Sequence, residues 1–293
     1  MATITTRYNI PSPVPFCDVE LLSDNRLFLD PHRIRASSTP QPFASDAVAA
    51  MDTFIDHAVH AICHGSAADQ RRAQASFESF PEPRETRLGL SRSGCDGHGG
   101  SSHTGLAIYR ELSTNLTALL EVGVLKRLEH LPLFVPDVGH DITSDITTRL
   151  VFPALAAFTS SMISVYPQMS GTLKKLTCQV WDAATLSWVD QTFTLPSPDG
   201  KPLLLVPRRW TGKSLTLHAE RYYNCAVLTH AQREQTTVLP DGTALRPPKY
   251  TLQRQPGLRR GRGTHIAVTE RAYNSGSDLV ANFENWADTR SVL

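Results

Sequence analysis

Apolar Val48, Met51, Ile55, Val59 and Ile62 recur at steps of three and four, which predicts an amphipathic helix opening at Ser45 and stopped by Gly65. A second helix is expected over residues 67–77. A third is expected over 106–122, with Ile108, Leu112, Leu116, Leu119 and Leu120 on one face. Apolar Ile146, Leu150, Val151, Leu155 and Phe158 predict a helix capped by Asp141 or Thr143, with Pro153 kinking or splitting it. Residues 216–233 and 277–286 complete the helical set. Short apolar or alternating runs predict strands at 14–21, 27–29, 86–91 and 131–135, and again at 176–181, 187–195 and 202–206. Asp182-Ala183-Ala184-Thr185 and Pro198-Asp199-Gly200 supply the turns between the last three, which favours an antiparallel meander. The expected architecture is therefore α+β. A mixed sheet with helices forms one domain over residues 1–235, and 236–293 is an irregular, basic, Pro/Gly/Arg-rich extension.

Composition changes this picture little. The 293 residues are 41% hydrophobic, with 29 Lys+Arg against 28 Asp+Glu, which excludes a wholly disordered chain. No apolar run reaches the roughly 18 residues of a membrane helix, and Met1 to Pro15 has no secretory apolar core. The five cysteines show no C-x-x-C pair, so reduced thiols and a cytoplasmic location are expected.

Charge is more informative. Residues 201–293 carry a net +7 and residues 1–200 a net −6. The basic charge is densest at Arg254, Arg259, Arg260 and Arg262, set among Gly, Pro and Gln. Clustered Arg on a flexible backbone attracts polyanions, so nucleic acid is the expected partner.

Three constellations offer chemistry. Gly97, Gly99 and Gly100 lie in a glycine-rich stretch between an expected strand and helix, a layout that brings backbone N–H groups to a phosphate. Asp137, Asp141 and Asp145 stand at four-residue intervals. Three acids at a helix start can hold Mg²⁺ or Mn²⁺, with Asp141, Asp145 and Glu85 as catalytic residues; the same acids can instead cap the helix. Lys201, Arg208 and Arg209 flank the apolar run 203–206 and are candidate phosphate ligands. Pro136-Asp137 with these basic residues resembles the parts of the PD-(D/E)-x-K nucleases, although the matching tripeptide, Asp199-Gly200-Lys201, lies far downstream in a turn. His140-Asp141 resembles the dipeptide of the HD phosphohydrolases.

Four stretches carry a broader resemblance: DNRLFLDP (24–31), ETRLGLS (85–91), DVGHDITSDITTR (137–149) and PLLLVPR (202–208). Together they resemble a group of uncharacterised bacterial proteins from mobile-element and phage-defence neighbourhoods, over residues 14–235. That resemblance implies nucleic-acid or nucleotide-related work and supplies no catalytic residue. The expected function is a metal-dependent phosphodiester-cleaving enzyme, a nuclease of such a system. The alternative is a nucleotide sensor, or a nucleic-acid-binding subunit working with other subunits of a defence complex.

Overall fold

A computed structural model describes residues 2–81, 83–89 and 100–291. The fold is α+β and chiefly helical. A short α1 (Ile4–Tyr8) is capped by the Thr3 side chain, and Asp18 accepts from the N–H and hydroxyl of Thr5. The expected strand at 14–21 is irregular chain pinned by isolated bridges, Thr3 to Glu20 and Phe16 to Pro207. β1 (Phe28–Leu29) leads through the cap Asp30 into α2 (Pro31–Ser37).

The predicted long helix is α3 (Phe43–His64), two residues longer at its start than the spacing implied. It buries Ala47, Met51, Phe54, Ile55 and Ala58, and it packs against α2 and against the later helices Ala67–Ser76, Thr117–Glu121, His140–Leu150 and Phe152–Val165. Gly65 does end it. Ser66 and Asp69 then form a reciprocal capping box that opens α4 (Ala67–Ser76). Of the expected strand at 86–91, Leu88 makes one isolated bridge to Asn25 and no strand forms over 86–89; residues 90–91, and Gly97 and Gly99 of the glycine-rich stretch, lie outside the described residues. Gly100 begins α5 (Gly100–Thr114), and the chain breaks before α6 (Thr117–Glu121), so the single helix expected there is two.

The apolar run expected as a strand at 131–135 is helical. A turn at Leu128–His130 continues into α7 (Leu131–Phe134), with Pro132 in its first turn, where a missing N–H costs nothing. Every side chain from Leu131 to Phe134 is buried, and a short buried run has no period to distinguish helix from strand. α8 (His140–Leu150) and α9 (Phe152–Val165) meet at a 72° bend, the split that Pro153 foretold. Among the described residues no single helix is long and apolar enough to cross a membrane.

β2 (Leu173–Asp182) and β3 (Ser187–Pro196) form the expected antiparallel hairpin, in register from Leu173–Pro196 to Asp182–Ser187. Trp181 and Trp188 drop from it onto Phe54 and Phe80 of the α3–α4 region, with Phe54 and Trp181 ring centroids 5.1 Å apart. The meander stops there. Residues 202–206 are extended, but their N–H groups go to unrelated acceptors: Leu203 to Pro196 O, Leu204 to Glu85 O and Leu205 to Thr159 Oγ1. No mixed sheet forms among the described residues; the three sheets are two-stranded and antiparallel. The second of them pairs β1 with β4 (Thr211–Gly212).

α10 (Ala219–Tyr222), a π-helical turn at Tyr223–Val227 and α11 (Leu228–Glu234) occupy the helix expected at 216–233. Residues 236–293, expected as an irregular extension, are largely structured. They hold a hairpin of β5 (Thr237–Val238) and β6 (Ala244–Leu245), then α12 (Lys249–Leu252), α13 (Arg262–Asn274) and α14 (Leu279–Ser291). α13 packs on α7, and α14 on the π-helical turn. Val268, Ala272, Val280 and Phe283 join the same hydrophobic cluster as Phe16 and Phe54. Tyr222 links the halves: its hydroxyl is hydrogen-bonded to Thr269 Oγ1 at 2.7 Å, and its ring meets Phe134 and Phe283.

The four stretches behind the family resemblance are neighbours in space. Asn25 N donates to Arg87 O, Leu29 N to Ser144 Oγ and Leu204 N to Glu85 O.

Candidate functional site

Two glycines set the geometry of an open cleft. Gly139 is the N-cap of α8 and Gly261 the N-cap of α13, and neither has a side chain to accept the first-turn N–H groups. Helix N-termini carry partial positive charge and unsatisfied donors. Both ends face a cleft of about 410 Å³ lined by Pro136, Asp137, Gly139, Arg260, Arg262 and His265, among others. That volume lies in the range of small-ligand sites.

Arg262 is half-buried, and its Nε donates to Val135 O at 3.1 Å, which fixes the guanidinium beside the cleft. Burial pulls its pKa down, with Asp137 opposing and Arg260 adding to the effect, so both neighbouring charges act on Arg262. Arg260 is exposed and pairs loosely with Glu220 at 3.3 Å. Such an exposed pair is weak and is readily exchanged for a better anion. Asp137 adopts a left-handed backbone (φ 59°), which Asp and Asn tolerate best among side-chain-bearing residues.

Three histidines surround this region. His265 lines the cleft and is buried; its Nδ1 lies 2.6 Å from Leu133 O, so Nδ1 carries the proton and donates. Its Nε2 is buried without a partner. Burial, with Arg262 and Arg260 adding to it, brings its pKa down to about 4. His140 and His218 stand next in sequence to the lining residues Gly139 and Ala219, ring centroids 5.2 Å apart and nearly perpendicular. His140 Nδ1 accepts from Leu215 N and His218 Nδ1 from Arg221 N, each at 3.4 Å, so each neutral ring carries its proton on Nε2. Burial lowers both pKa values, and Arg221 and His140 help to bring His218 to about 4.

A pH dependence follows for His265. Its folded value of about 4 lies below its ordinary 6.5. Between those values the unfolded chain takes up a proton that the folded one refuses, so stability is full above pH 6.5 and falls as pH drops towards 4. The loss reaches about 3 kcal/mol. Urea unfolding from pH 7 to 4 is expected to show a steeper decline for wild type than for His265→Gln; equal slopes would refute a buried neutral ring.

Of the sequence-predicted acids, Asp137 alone lines the cleft. Asp137 faces the two arginines. A Cβ on Gly89 would stand 3.4 Å from Asp141 Oδ1 and 3.6 Å from Asp24 Oδ2, so Asp141 turns to that backbone point. Asp145 follows one turn later on α8. Glu85 accepts from Arg149 Nη2 at 3.3 Å, and Arg149 is buried with its Nε on Pro81 O. Among the described residues, the acids and histidines whose ligand atoms gather within 4.8 Å are instead His32, Glu129 and Glu284.

Of the predicted basic residues, Arg260 and Arg262 reach the cleft. Arg254 and Arg259 are exposed on the preceding segment. Lys201, Arg208 and Arg209 are exposed and do not line it. Gly100 lies in the first turn of α5, away from these lining residues in sequence. Sequence reading missed His218 and His265, which stand alone in their segments with no motif around them.

No curated protein and no solved structure matches the chain. A family model described as a domain of unknown function, DUF8370, matches residues 9–218, most of the chain, and the protein belongs to that family.

Proposed function

We propose that the protein binds nucleic acid, holding a backbone phosphate in the cleft between the N-termini of α8 and α13. The observation that carries this reading is the joint placement of two glycine-capped helix starts and two guanidiniums, Arg260 and Arg262, around one opening. Helix N–H groups and Arg forks are the donors that recognise phosphate oxygens. Exposed Arg254 and Arg259 extend the positive surface along the preceding segment, which suits a polymer better than a single phosphate. The resemblance to proteins of mobile-element and phage-defence neighbourhoods supports the same ligand class.

One observation favours a second reading, cleavage of the bound phosphodiester. The two rings are in contact beside the phosphate site, and cleavage would need both to give up their long 3.4 Å backbone bonds, one so that its Nδ1 takes a proton from an attacking hydroxyl and the other so that it is charged and passes its Nε2 proton to the leaving oxygen. Bound phosphate would raise both pKa values and charge one ring. Turnover lost in both His140→Gln and His218→Gln, with binding retained, supports cleavage.

The binding reading is tested by fluorescence anisotropy with a labelled single-stranded oligonucleotide across a salt series. Arg260→Gln/Arg262→Gln is expected to weaken binding at least about tenfold and to flatten the plot of log K against log salt by about 1.4, two single-strand phosphate contacts' worth. Arg208→Gln/Arg209→Gln is expected to leave the slope nearly unchanged. Equal effects from the two pairs would refute the cleft as the phosphate site.

A further inference from the structure

His32 on α2, Glu129 in the turn before α7 and Glu284 on α14 are all buried, and one ligand atom from each lies within 4.8 Å of the others. Each also has one side-chain atom already committed. His32 Nε2 is 2.8 Å from Asp288 Oδ1, Glu129 Oε1 accepts from Arg35 Nε at 2.6 Å, and Glu284 Oε1 accepts from Arg127 Nη1 at 2.8 Å and His130 Nε2 at 2.9 Å. Two atoms are left over: His32 Nδ1 and Glu129 Oε2 are buried with no hydrogen-bond partner. Buried polar atoms are seldom left in that state unless something else is to meet them.

The pattern of commitments is that of a metal centre. With Asp288 accepting from Nε2–H, His32 is held in the tautomer whose Nδ1 offers a lone pair. A carboxylate behind a histidine in this way orients metal-binding rings and raises their basicity. The two glutamates are each held through Oε1, which leaves Oε2 of each outside those bonds. Three atoms no more than 4.8 Å apart lie within about 2.8 Å of a common point, so movements of at most about 0.7 Å bring them to the 2.0–2.2 Å of nitrogen and carboxylate ligands. Charge agrees. The groups bonded into the cluster are four carboxylates, Glu129, Glu284, Asp288 and Asp52 (the last through Arg35), against the guanidiniums Arg35 and Arg127. A dication cancels that excess of two negative charges.

We propose that His32 Nδ1, Glu129 Oε2 and a carboxylate oxygen of Glu284 bind a divalent first-row transition metal that ties α14 to α2 and to the turn before α7. One imidazole and two carboxylates without thiolate suit Zn²⁺ or Mn²⁺; Mg²⁺, which keeps its waters and prefers oxygen, suits a buried nitrogen ligand poorly. Glu284 lies beyond the family match at 9–218, so the metal would fasten the C-terminal helices to the part of the chain the family defines. It stands apart from the residues lining the cleft and depends on no reading of that cleft.

The test is metal uptake by the full chain. Protein stripped with chelator and titrated with Zn²⁺ is expected to bind one equivalent, with Mn²⁺ binding more weakly, and to melt at a higher temperature with metal than without. Glu129→Gln and His32→Gln are expected to abolish uptake. Asp288→Asn changes a half-exposed group outside the ligand set, so it should fold, and it is expected to weaken Zn²⁺ binding about 10–100-fold. Wild type that takes up no metal would overturn the proposal, a buried water then bridging the two atoms. Uptake that survives Glu129→Gln and His32→Gln would overturn it too, since the ion would sit elsewhere. Should those two variants fail to fold, an unchanged affinity in Asp288→Asn would overturn it.

Discussion

Asp30→Ala is expected to destabilise the protein by about 4 kcal/mol or more, among the largest effects of any single polar substitution in the chain. Asp30 is buried, and its two oxygens serve two parts of the fold. Oδ1 accepts from His32 N at 3.0 Å and Arg33 N at 3.4 Å, capping α2; Oδ2 accepts from both N and Oγ1 of Thr216 at 2.7 Å. Removing the carboxylate costs a helix cap, about 0.5–2 kcal/mol. It also orphans the buried donors of Thr216, at about 1–3 kcal/mol for each unsatisfied group. Asp30→Asn keeps the cap oxygen but turns an amide towards the Thr216 donors, so it should fall between wild type and Ala. Equilibrium urea unfolding measures all three. A loss below about 1 kcal/mol for Ala would mean that water replaces the carboxylate and that the segment is less closed than described.

Gly105→Ala is expected to be nearly as disruptive, for a steric reason. A Cβ there would stand 1.7 Å from Phe77 O and 2.8 Å from Phe77 C, both backbone atoms that cannot rotate away. α5 must therefore lift off the end of α4. That movement opens the Phe77–Tyr109 ring contact and the 2.9 Å bond from the Tyr109 hydroxyl to Gln70 O. A cost of about 3 kcal/mol or more is expected. Gly263→Ala in α13 is the control. Nothing lies within 4 Å of the added methyl, so Ala should be neutral or stabilise by up to about 1 kcal/mol through helix propensity. Similar melting temperatures for the two variants would show that α5 is not seated on α4.

Local order was legible where one period or one stop residue dominated. The three-and-four spacing of α3, its stop at Gly65, the Pro153 break and the β2–β3 hairpin all follow from side chains that decide their own segment. Segments decided by distant partners were not legible. Residues 131–134 read as a strand because a buried apolar run has no period, and residues 202–206 look like a strand but meet three different acceptors. The C-terminal helices were missed for a related reason. Helix α13 buries only His265, Val268, Thr269 and Ala272, two of them polar, and so offers no apolar stripe. Of the candidate site, the arginines at 260 and 262 stood out as charge. The helix starts they join stand far apart in sequence, at Gly139 and Gly261, and their meeting is a property of packing. The same holds for His32, Glu129 and Glu284, which no motif spacing could unite.

Hydrogen exchange with and without an oligonucleotide tests the phosphate cleft most directly. The first-turn amides of α8 (140–142) and α13 (262–264) have no N-cap side chain to protect them, so they should exchange quickly in the free protein. Bound phosphate is expected to slow both sets together, and Arg260→Gln/Arg262→Gln to abolish that protection while leaving core amides unchanged. Protection confined to the surface around Arg208 and Arg209, with both helix starts still exchanging freely, would contradict the assignment.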